Sequence, residues 1–297
     1  MTMITRFDHA VLAVDDLPAA TALLSGSLGL SAQAGGRHTG FGADNAVVRF
    51  GLDYLQIASI VDRDEAAATG MKRAPMLRLL AQRRGGWLAY GMATDDIDDL
   101  ADRLRQVGLD AAGPYAMRRE RPDGRMLRWR LLQPGGTALR RPWPFFIQWE
   151  APDAELFAAE PPAQHALGVV RVTGVSVIVR ELKAAQYLYG EQLGFHLEGC
   201  GAHETPGAMT ACYSLGHFRV DLVAPTAPGP MLDRLERQGE GLCEVRLGVD
   251  NLPKARRLLG ERGGQLVAHG DGSVEVCAAG LGDFGACMRI EQAMSGA

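Results

Sequence analysis

The chain has 297 residues, of which 47% are hydrophobic, and a formal net charge of −4. This length predicts about two domains, and a mildly acidic chain without a long run of one charge sign lacks the basic surface that nucleic acid or an anionic membrane requires. The N-terminus has no apolar signal and no stretch approaches about 20 apolar residues, so we expect a cytoplasmic protein with neither nucleic acid nor membrane as a partner.

Four short segments of alternating apolar residues recur along the chain. They are FDHAVLAVDDL (7–17), WLAYGMATDDI (87–97), VTGVSVIVREL (172–182) and CEVRLGVDNL (243–252). Each predicts a β-strand, and each is followed by apolar residues at a helical period. Before three of these helices stands an Asp or Asn that would accept a backbone N–H as an N-cap: Asp16, Asp96 and Asn251.

After each helix the pattern changes to a period of two between glycine-rich turns, which predicts further strands. The clearest, in chain order, are NAVVRFG, DYLQIASI, GRMLRWRLL, PFFIQWE, MTACYSLG, FRVDLVAP, SVEVCAAG and GACMRIEQ. One strand, one helix and about three more strands therefore form a unit that recurs four times. Residues 151–168, rich in proline and acidic residues, interrupt the repeat and predict a linker between domains at residues 1–150 and 169–297.

This βαβββ unit, opening with H-x-V-x-x-V-x-D-L at residue 9, resembles the vicinal oxygen chelate superfamily of glyoxalases, extradiol dioxygenases and antibiotic-resistance proteins. Through FDHAVLAVDDL, YLQIAS, RRERPDGRMLRWRLL and PFFIQWE, the N-terminal half resembles glyoxalase-like domain proteins. The resemblance implies an α+β fold in which four βαβββ modules pair into two cup-shaped mixed β-sheet domains with flanking helices. It implies a small-molecule ligand or a metal inside a cup. It also leaves a homodimer open, because modules of the superfamily pair within or between chains.

The resemblance further implies that metal ligands lie at the start of the first strand and on the last strand of paired modules. These positions carry His9 and Gln56 in the first module, and Ala89 and Gln148 in the second. One imidazole and two carboxamides form a weak set, because divalent metals prefer imidazole, carboxylate or thiolate. We therefore expect either no cofactor or a divalent metal with His9 as a ligand. Glu150 would add a carboxylate if the register shifted by two residues.

The second half carries a different set at the equivalent positions: Gly174, Asp221, Glu244 and Arg289. No histidine is among them, and the arginine would repel a cation. The five cysteines show no CxxC spacing, which favours reduced, mostly buried thiols over a zinc site or disulfides. The functional site is therefore expected in the first half.

Other ligand contacts are expected near the predicted hairpin RRERPDGRMLRWRLL. Arg128 and Arg130 lie two residues apart, and so on one strand face, where guanidinium groups suit a carboxylate or phosphate. A solvated, charged hairpin is the alternative interpretation. His38, in the loop GGRHTG, would reach over the mouth of the cup or be simply exposed.

Two classes of function fit these residues. The first is a lyase, isomerase or dioxygenase-like enzyme that acts on a small carbonyl or aromatic metabolite in the N-terminal cup, with a reduced or absent metal site. His9 would be catalytic there, because histidine titrates near neutral pH, and Gln56 or Gln148 would polarise a carbonyl. The second is a non-catalytic protein that binds or sequesters a small molecule, in which His9, Gln56 and Gln148 only orient the ligand.

Overall fold

The structure is a computed structural model that describes residues 3–38, 42–68, 74–120, 124–135, 141–277 and 284–294. The first module contains β1 (Ile4–Val14), α1 (Leu17–Gly26), β2 (Gln33–His38), β3 (Ala43–Arg49) and β4 (Tyr54–Ile60). Two helices follow it, α2 (Arg63–Ala68) and α3 (Ala74–Gln82). The second module contains β5 (Gly85–Thr94), α4 (Ile97–Gln106), β6 (Ala111–Glu120), β7 (Met126–Pro134) and β8 (Phe145–Trp149).

The second half repeats this order after α5 (Asp153–Ala159). The third module contains β9 (Val169–Ile178), α6 (Leu182–Tyr187), a π-helical turn (Leu188–Gln192), β10 (His196–Ala202), β11 (Ala208–Leu215) and β12 (Phe218–Pro225). The fourth follows α7 (Pro230–Gln238) and contains β13 (Gly241–Val249), α8 (Leu252–Glu261), β14 (Gln265–Ala268), β15 (Val274–Cys277) and β16 (Met288–Gln292). Among the helices described, none combines the length and the apolar character that crossing a bilayer demands.

The described strands form two mixed sheets of eight strands each. The first has the order β2-β3-β4-β1-β5-β8-β7-β6 and the second the order β10-β11-β12-β9-β13-β16-β15-β14. The first strand of a module pairs in parallel with its last strand, as β1 with β4, β5 with β8 and β13 with β16. The predicted α+β class, with four βαβββ modules in two mixed sheets, is confirmed.

The chain divides into two compact units, each built mainly from two modules. One contains the chain up to Asp8, Ala89–Ala159 and Val175–Leu242, and so mainly the second and third modules. The other contains His9–Leu88, Glu160–Gly174 and the chain from residue 243, and so mainly the first and fourth modules. The segment predicted as a linker carries α5 and contributes residues to both units. A domain boundary at residues 151–168 stays a prediction.

Local signals in the sequence set the ends of the helices. The three predicted N-cap side chains each accept the backbone N–H of the residue three positions on, at 2.9 to 3.0 Å: Asp16, Asp96 and Asn251. These bonds satisfy donors that a helix N-terminus leaves unpaired. Glycines with φ of 67° to 82° follow three of the helices: Gly29, Gly108 and Gly194. This left-handed conformation ends a helix at little steric cost for glycine.

Each helix covers one face of its module and leaves the other face to different side chains. In the first module α1 packs against β3 and β4, and its Leu24 is 1% exposed. In the second module α4 packs against β6, β7 and β8, where Leu132 and Phe146 are fully buried. Full burial of one such side chain contributes about 1.5–3 kcal/mol. These apolar faces form the core and hold the strands in register.

A buried pair of tyrosines joins the helical part of the third module to β5 within one compact unit. The hydroxyls of Tyr90 and Tyr189 are hydrogen-bonded to each other, and the Tyr189 hydroxyl donates to the carbonyl of Pro142 at 2.9 Å. Since Tyr189 has a single hydroxyl proton, Tyr90 donates to the Tyr189 oxygen. Both side chains are fully buried, and burial raises the pKa of each tyrosine, so both hydroxyls stay neutral.

Tyr189→Phe is expected to lower the free energy of unfolding by roughly 1–3 kcal/mol, because it leaves the fully buried Tyr90 hydroxyl without its partner and removes the hydrogen bond to the Pro142 carbonyl. Tyr90→Phe keeps the bond to Pro142 and should cost less. Urea unfolding followed by circular dichroism measures both values. Tyr187→Phe, at a side chain that is 57% exposed, serves as the control. An effect of Tyr189→Phe no larger than that of the control would contradict this account.

Candidate functional site

The face of the first module opposite α1 carries a group of polar and aromatic side chains. The parallel register of β1 and β4 sets His9 beside Tyr54, with Gln56 two residues further along β4. The antiparallel register of β3 and β4 sets Arg49 beside Tyr54, and Asn45 lies four residues before Arg49 on β3. Since paired and alternate residues of a sheet share a face, all five side chains lie on one face. We call these five residues the module-1 polar face.

Three side chains of the module-1 polar face form a stack. The rings of His9 and Tyr54 are nearly parallel, with centroids 4.5 Å apart and an interplanar angle of 12°. The guanidinium carbon of Arg49 lies 4.6 Å from the centroid of the Tyr54 ring. His9 is 6% exposed, and Arg49 and Tyr54 are 9% exposed. Aromatic stacking and a cation–π contact therefore hold the His9 imidazole in a buried position.

Asn45 gives the same face a buried acceptor. Its side chain is 5% exposed and packs so closely on Gly35 that a Cβ at that glycine would collide with it. Within the described part of the chain, nothing donates a hydrogen bond to Asn45 Oδ1. A buried acceptor without a donor costs about 1–3 kcal/mol. The Asn45 oxygen is therefore suited to receive a hydrogen bond from a ligand hydroxyl or amine.

His165, from the segment predicted as a linker, supports the strand that carries Arg49. Its Nδ1 accepts the backbone N–H of Ser31 at 3.0 Å, and its Nε2 lies 2.9 Å from the carbonyl oxygen of Arg49. The neutral ring with a proton on Nε2 satisfies both contacts. Burial lowers the pKa of His165, and the hydrogen bond to Arg49 opposes this only in part. A protonated ring would direct a second N–H group at the N–H of Ser31.

The register of β8 differs from the one expected from the sequence. Gly91 pairs with Phe145, whereas the equivalent pair in the first module is Val11 with Gln56. Phe145 rather than Gln148 therefore occupies the position equivalent to Gln56, and its ring covers Gly91 so closely that a Cβ there would collide with it. Alternation shows which residues share a face, but the pairing with the neighbouring strand is a tertiary property.

Four of the predicted ligand contacts lie on the α4 side of the second module or at its rim: Arg128, Arg130, Gln148 and Glu150. Arg130 donates to both carboxylate oxygens of Asp98 at 2.6 and 2.7 Å, and these bonds lower the pKa of Asp98. Gln148 donates to the carbonyl of Asp95. The Nε atom of Arg128 lies 3.8 Å from Oε2 of Glu150. These residues belong to the other compact unit, and the structure does not group them with His9 and Gln56.

Some sequence predictions fall outside the described part of the chain. His38 ends β2, but its side chain and residues 39–41 are not among those described. The same holds for Pro122 and Asp123 in the predicted hairpin turn. The predicted contact of His38 with a ligand stays a prediction.

The face of the second module opposite α4 is aromatic. Trp129 pairs with Trp149 across β7 and β8, with ring centroids 5.3 Å apart at 47°. Tyr115 shares this face through its pairing with Leu131 and is 39% exposed. Trp149 donates its indole N–H to the buried carboxylate of Asp8 at 2.8 Å. The second module therefore presents apolar, partly exposed rings where the first module presents polar groups.

A buried charge network occupies the corresponding face of the fourth module. The ligand atoms of Glu244, Glu275 and Cys287 lie within 4.8 Å of one another, and no other described group of three or more His, Cys, Asp or Glu side chains is so arranged. Arg246 and Arg289 approach the Glu244 carboxylate at 3.3 and 3.4 Å. The sequence predicted Glu244 and Arg289 at this face from their positions along the strands. It did not predict Glu275 and Cys287, which come near those two residues only when β15 and β16 fold.

The donor groups at these two places do not fit a divalent metal. At the module-1 polar face, His9 shares its surface with the carboxamide of Gln56, and within the described chain it belongs to no cluster of three His, Cys, Asp or Glu ligands. In the fourth module, the guanidinium groups of Arg246 and Arg289 already face the Glu244 carboxylate and would repel a cation. The module-1 polar face is therefore suited to hydrogen bonding with a ligand.

Comparison with known proteins supports the architecture described above. A family model described as "Glyoxalase-like domain" matches residues 7–191. A hypothetical protein from Staphylococcus aureus is 14% identical, with a TM-score of 0.66 over 98% of this chain and 100% of that chain. A triple mutant of 4-hydroxymandelate synthase from Streptomyces coelicolor is 16% identical, with a TM-score of 0.68 over 100% of this chain and 95% of that chain.

A third similar structure is the Mn(II)-bound glyoxalase from Novosphingobium aromaticivorans. It is 12% identical, with a TM-score of 0.59 over 99% of this chain and 84% of that chain. A search of curated protein sequences finds no match. At these identities the structural similarity supports the fold alone.

Folding stability is expected to fall as the pH drops below about 6.5, the ordinary pKa of an unfolded histidine, because burial of His165 in the folded state opposes protonation and lowers its pKa. Above that pH the His165 ring is neutral in both the folded and the unfolded state, so its contribution to folding stability is fully present. Urea unfolding between pH 8 and 5.5 measures the slope. His165→Gln should flatten it and the exposed His196→Gln should not. Equal slopes for the wild type and His165→Gln would rule the effect out.

Arg289→Met is expected to lower the free energy of unfolding by about 3 kcal/mol, because it removes one partner from a buried ion pair and leaves charge on Glu244 less compensated. Arg257→Met, at a side chain that is 70% exposed, should change it by less than about 0.5 kcal/mol. Chemical denaturation of the two variants makes the comparison. If both variants lose the same stability, Arg289 does not stabilise the network.

Proposed function

The chain belongs to the glyoxalase-like domain family, within the vicinal oxygen chelate superfamily, and on that premise we propose that the module-1 polar face binds a small metabolite with a carbonyl and a hydroxyl group. The supporting observation is the buried Oδ1 of Asn45, which has no donor among the described residues and shares its face with His9 and Gln56. An acceptor, an amide and an imidazole on one face complement a ligand that both donates and accepts hydrogen bonds.

Each group has a distinct role in this proposal. The Gln56 amide N–H donates to the carbonyl oxygen of the ligand, and the Asn45 oxygen accepts from its hydroxyl. The His9 imidazole contacts the carbon that lies between them. Alternate residues on a strand are about 6.5–7 Å apart and neighbouring strands about 4.8 Å, so the three groups span a metabolite of a few carbon atoms or one aromatic ring.

As an enzyme, the protein would catalyse an isomerisation by proton transfer. His9 removes the proton from the hydroxyl-bearing carbon next to the carbonyl, while Gln56 stabilises the negative charge that develops on the carbonyl oxygen. The hydroxyl proton then passes to the negatively charged oxygen held by Gln56, and His9 returns the carbon-bound proton to the former carbonyl carbon. The carbonyl and hydroxyl thus exchange places without any oxidant. A neutral amide stabilises this charge less than a dication, and a modest rate is expected.

A second candidate function is ligand binding without turnover. The stack with Tyr54 and the low exposure of His9 favour it, because a ring held between neighbours orients a ligand well but moves little. In that case His9, Asn45 and Gln56 would only select and hold the molecule.

The binding test uses four probes of stated chemistry: hydroxyacetone, glyceraldehyde, catechol and 4-hydroxymandelate. At least one should raise the melting temperature of the wild type and give a measurable Kd by calorimetry. Asn45→Leu should weaken binding of that probe about tenfold, because one ligand hydroxyl loses its acceptor. His196→Gln, at an exposed histidine, should bind like the wild type. Equal affinity of Asn45→Leu and wild type would count against the proposal.

Catalysis is tested separately from binding. With hydroxyacetone or glyceraldehyde in D2O, proton NMR should show loss of the carbon-bound proton next to the carbonyl at a rate that His9→Gln abolishes. Binding without such exchange would assign the protein to the second, non-catalytic class. Exchange that persists in His9→Gln would remove His9 as the base.

A further inference from the structure

The stack on the module-1 polar face extends across three neighbouring strands. Arg49 on β3, Tyr54 on β4 and His9 on β1 occupy paired positions, so that the phenol ring lies between a guanidinium group and an imidazole. The small angle between the two rings means that the edge of the imidazole, with both nitrogens, points along the Tyr54 ring plane and not into it. The plane of the Tyr54 ring therefore restricts the plane of the His9 imidazole.

Residues of the segment that follows α5 hold Arg49 in place. Its guanidinium group forms an ion pair with Glu160 at 2.9 Å, with the two side chains 10% and 17% exposed. Its backbone carbonyl receives the N–H of Ala163 at 3.0 Å and faces His165 Nε2 at 2.9 Å. All of these residues belong to one compact unit. A partly buried ion pair restricts a long side chain that would otherwise sample many rotamers.

We infer that Tyr54 is a positioning residue for His9, and that Arg49 and Glu160 act through Tyr54 by fixing the plane of its ring. The consequence for ligand binding rests on the proposed function, but the effect on the imidazole does not. Removal of the Tyr54 ring takes away the surface on which the His9 imidazole is stacked, and the hydrogen bond that His9 offers a ligand is held less firmly in direction. Loss of the charge on Glu160 weakens the ion pair that holds Arg49, and the Tyr54 ring is then held less firmly.

The test is an NMR measurement on the full chain with labelled histidine. The signal of His9 is assigned as the one missing in His9→Gln. In the wild type its ring protons should be shifted upfield, because they lie over the face of an aromatic ring. Tyr54→Phe should keep this shift, Tyr54→Leu should abolish it, and Glu160→Gln should reduce it. Tyr115→Leu, at an exposed tyrosine of the aromatic face, should leave the His9 signal unchanged.

Circular dichroism shows that each variant is folded before its spectrum is interpreted. Because the Tyr54 ring is itself the source of the shift, Tyr54→Leu only verifies the stack. Glu160→Gln keeps the ring and therefore decides: a reduced His9 shift supports the inference and an unchanged shift overturns it.

Binding separates this inference from the proposed function. With the probe that binds best, Tyr54→Leu should raise Kd about fivefold while Tyr54→Phe stays within about twofold of the wild type. If no probe binds the wild type, the proposed function fails but the NMR result still decides the role of Tyr54. If Glu160→Gln reduces the His9 shift but Tyr54→Leu leaves the affinity unchanged, Tyr54 positions the ring without any effect on the ligand, and that part of the inference fails.

Discussion

The parallel pairing of the first strand of a module with its last strand is the constraint on which the rest of the structure depends. It sets His9 beside Tyr54 in the first module and Arg246 beside Arg289 in the fourth. A helix then covers one face of each module and removes the apolar side chains of that face from water. The side chains of the opposite face do not have to form this apolar core, and they are available for ligand binding or catalysis.

The modules share this scaffold but differ in what the face opposite the helix carries. The position of His9 is taken by Ala89 in the second module and by Glu244 in the fourth. Around these residues lie a polar group that includes the charged Arg49 in the first module, tryptophans in the second and a charge network in the fourth. A repeated backbone therefore supports three different chemical surfaces, because the strand pairing and the helix-covered face define the fold of each module.

The segment after α5 shows how distant residues support a site. Its prolines and acidic residues are typical of an exposed connection, yet Glu160 and His165 contact Arg49, more than a hundred positions earlier in the chain. Composition describes how a segment behaves when it has no partners. Composition cannot show that the buried guanidinium group of Arg49 on β3 needs a carboxylate partner. The sequence therefore predicted a linker here and did not predict that this segment contacts the site.

The sequence by itself determined the four modules, their strands and helices, and caps such as Asp16, because alternation, period and capping are decided among residues close in the chain. It also singled out His9, but it placed Gln148 in a position that Phe145 occupies. Only the tertiary structure decided the strand register, the stack of Tyr54 on His9 and the burial of Asn45. These depend on pairing between strands far apart in sequence, and no local pattern encodes that pairing.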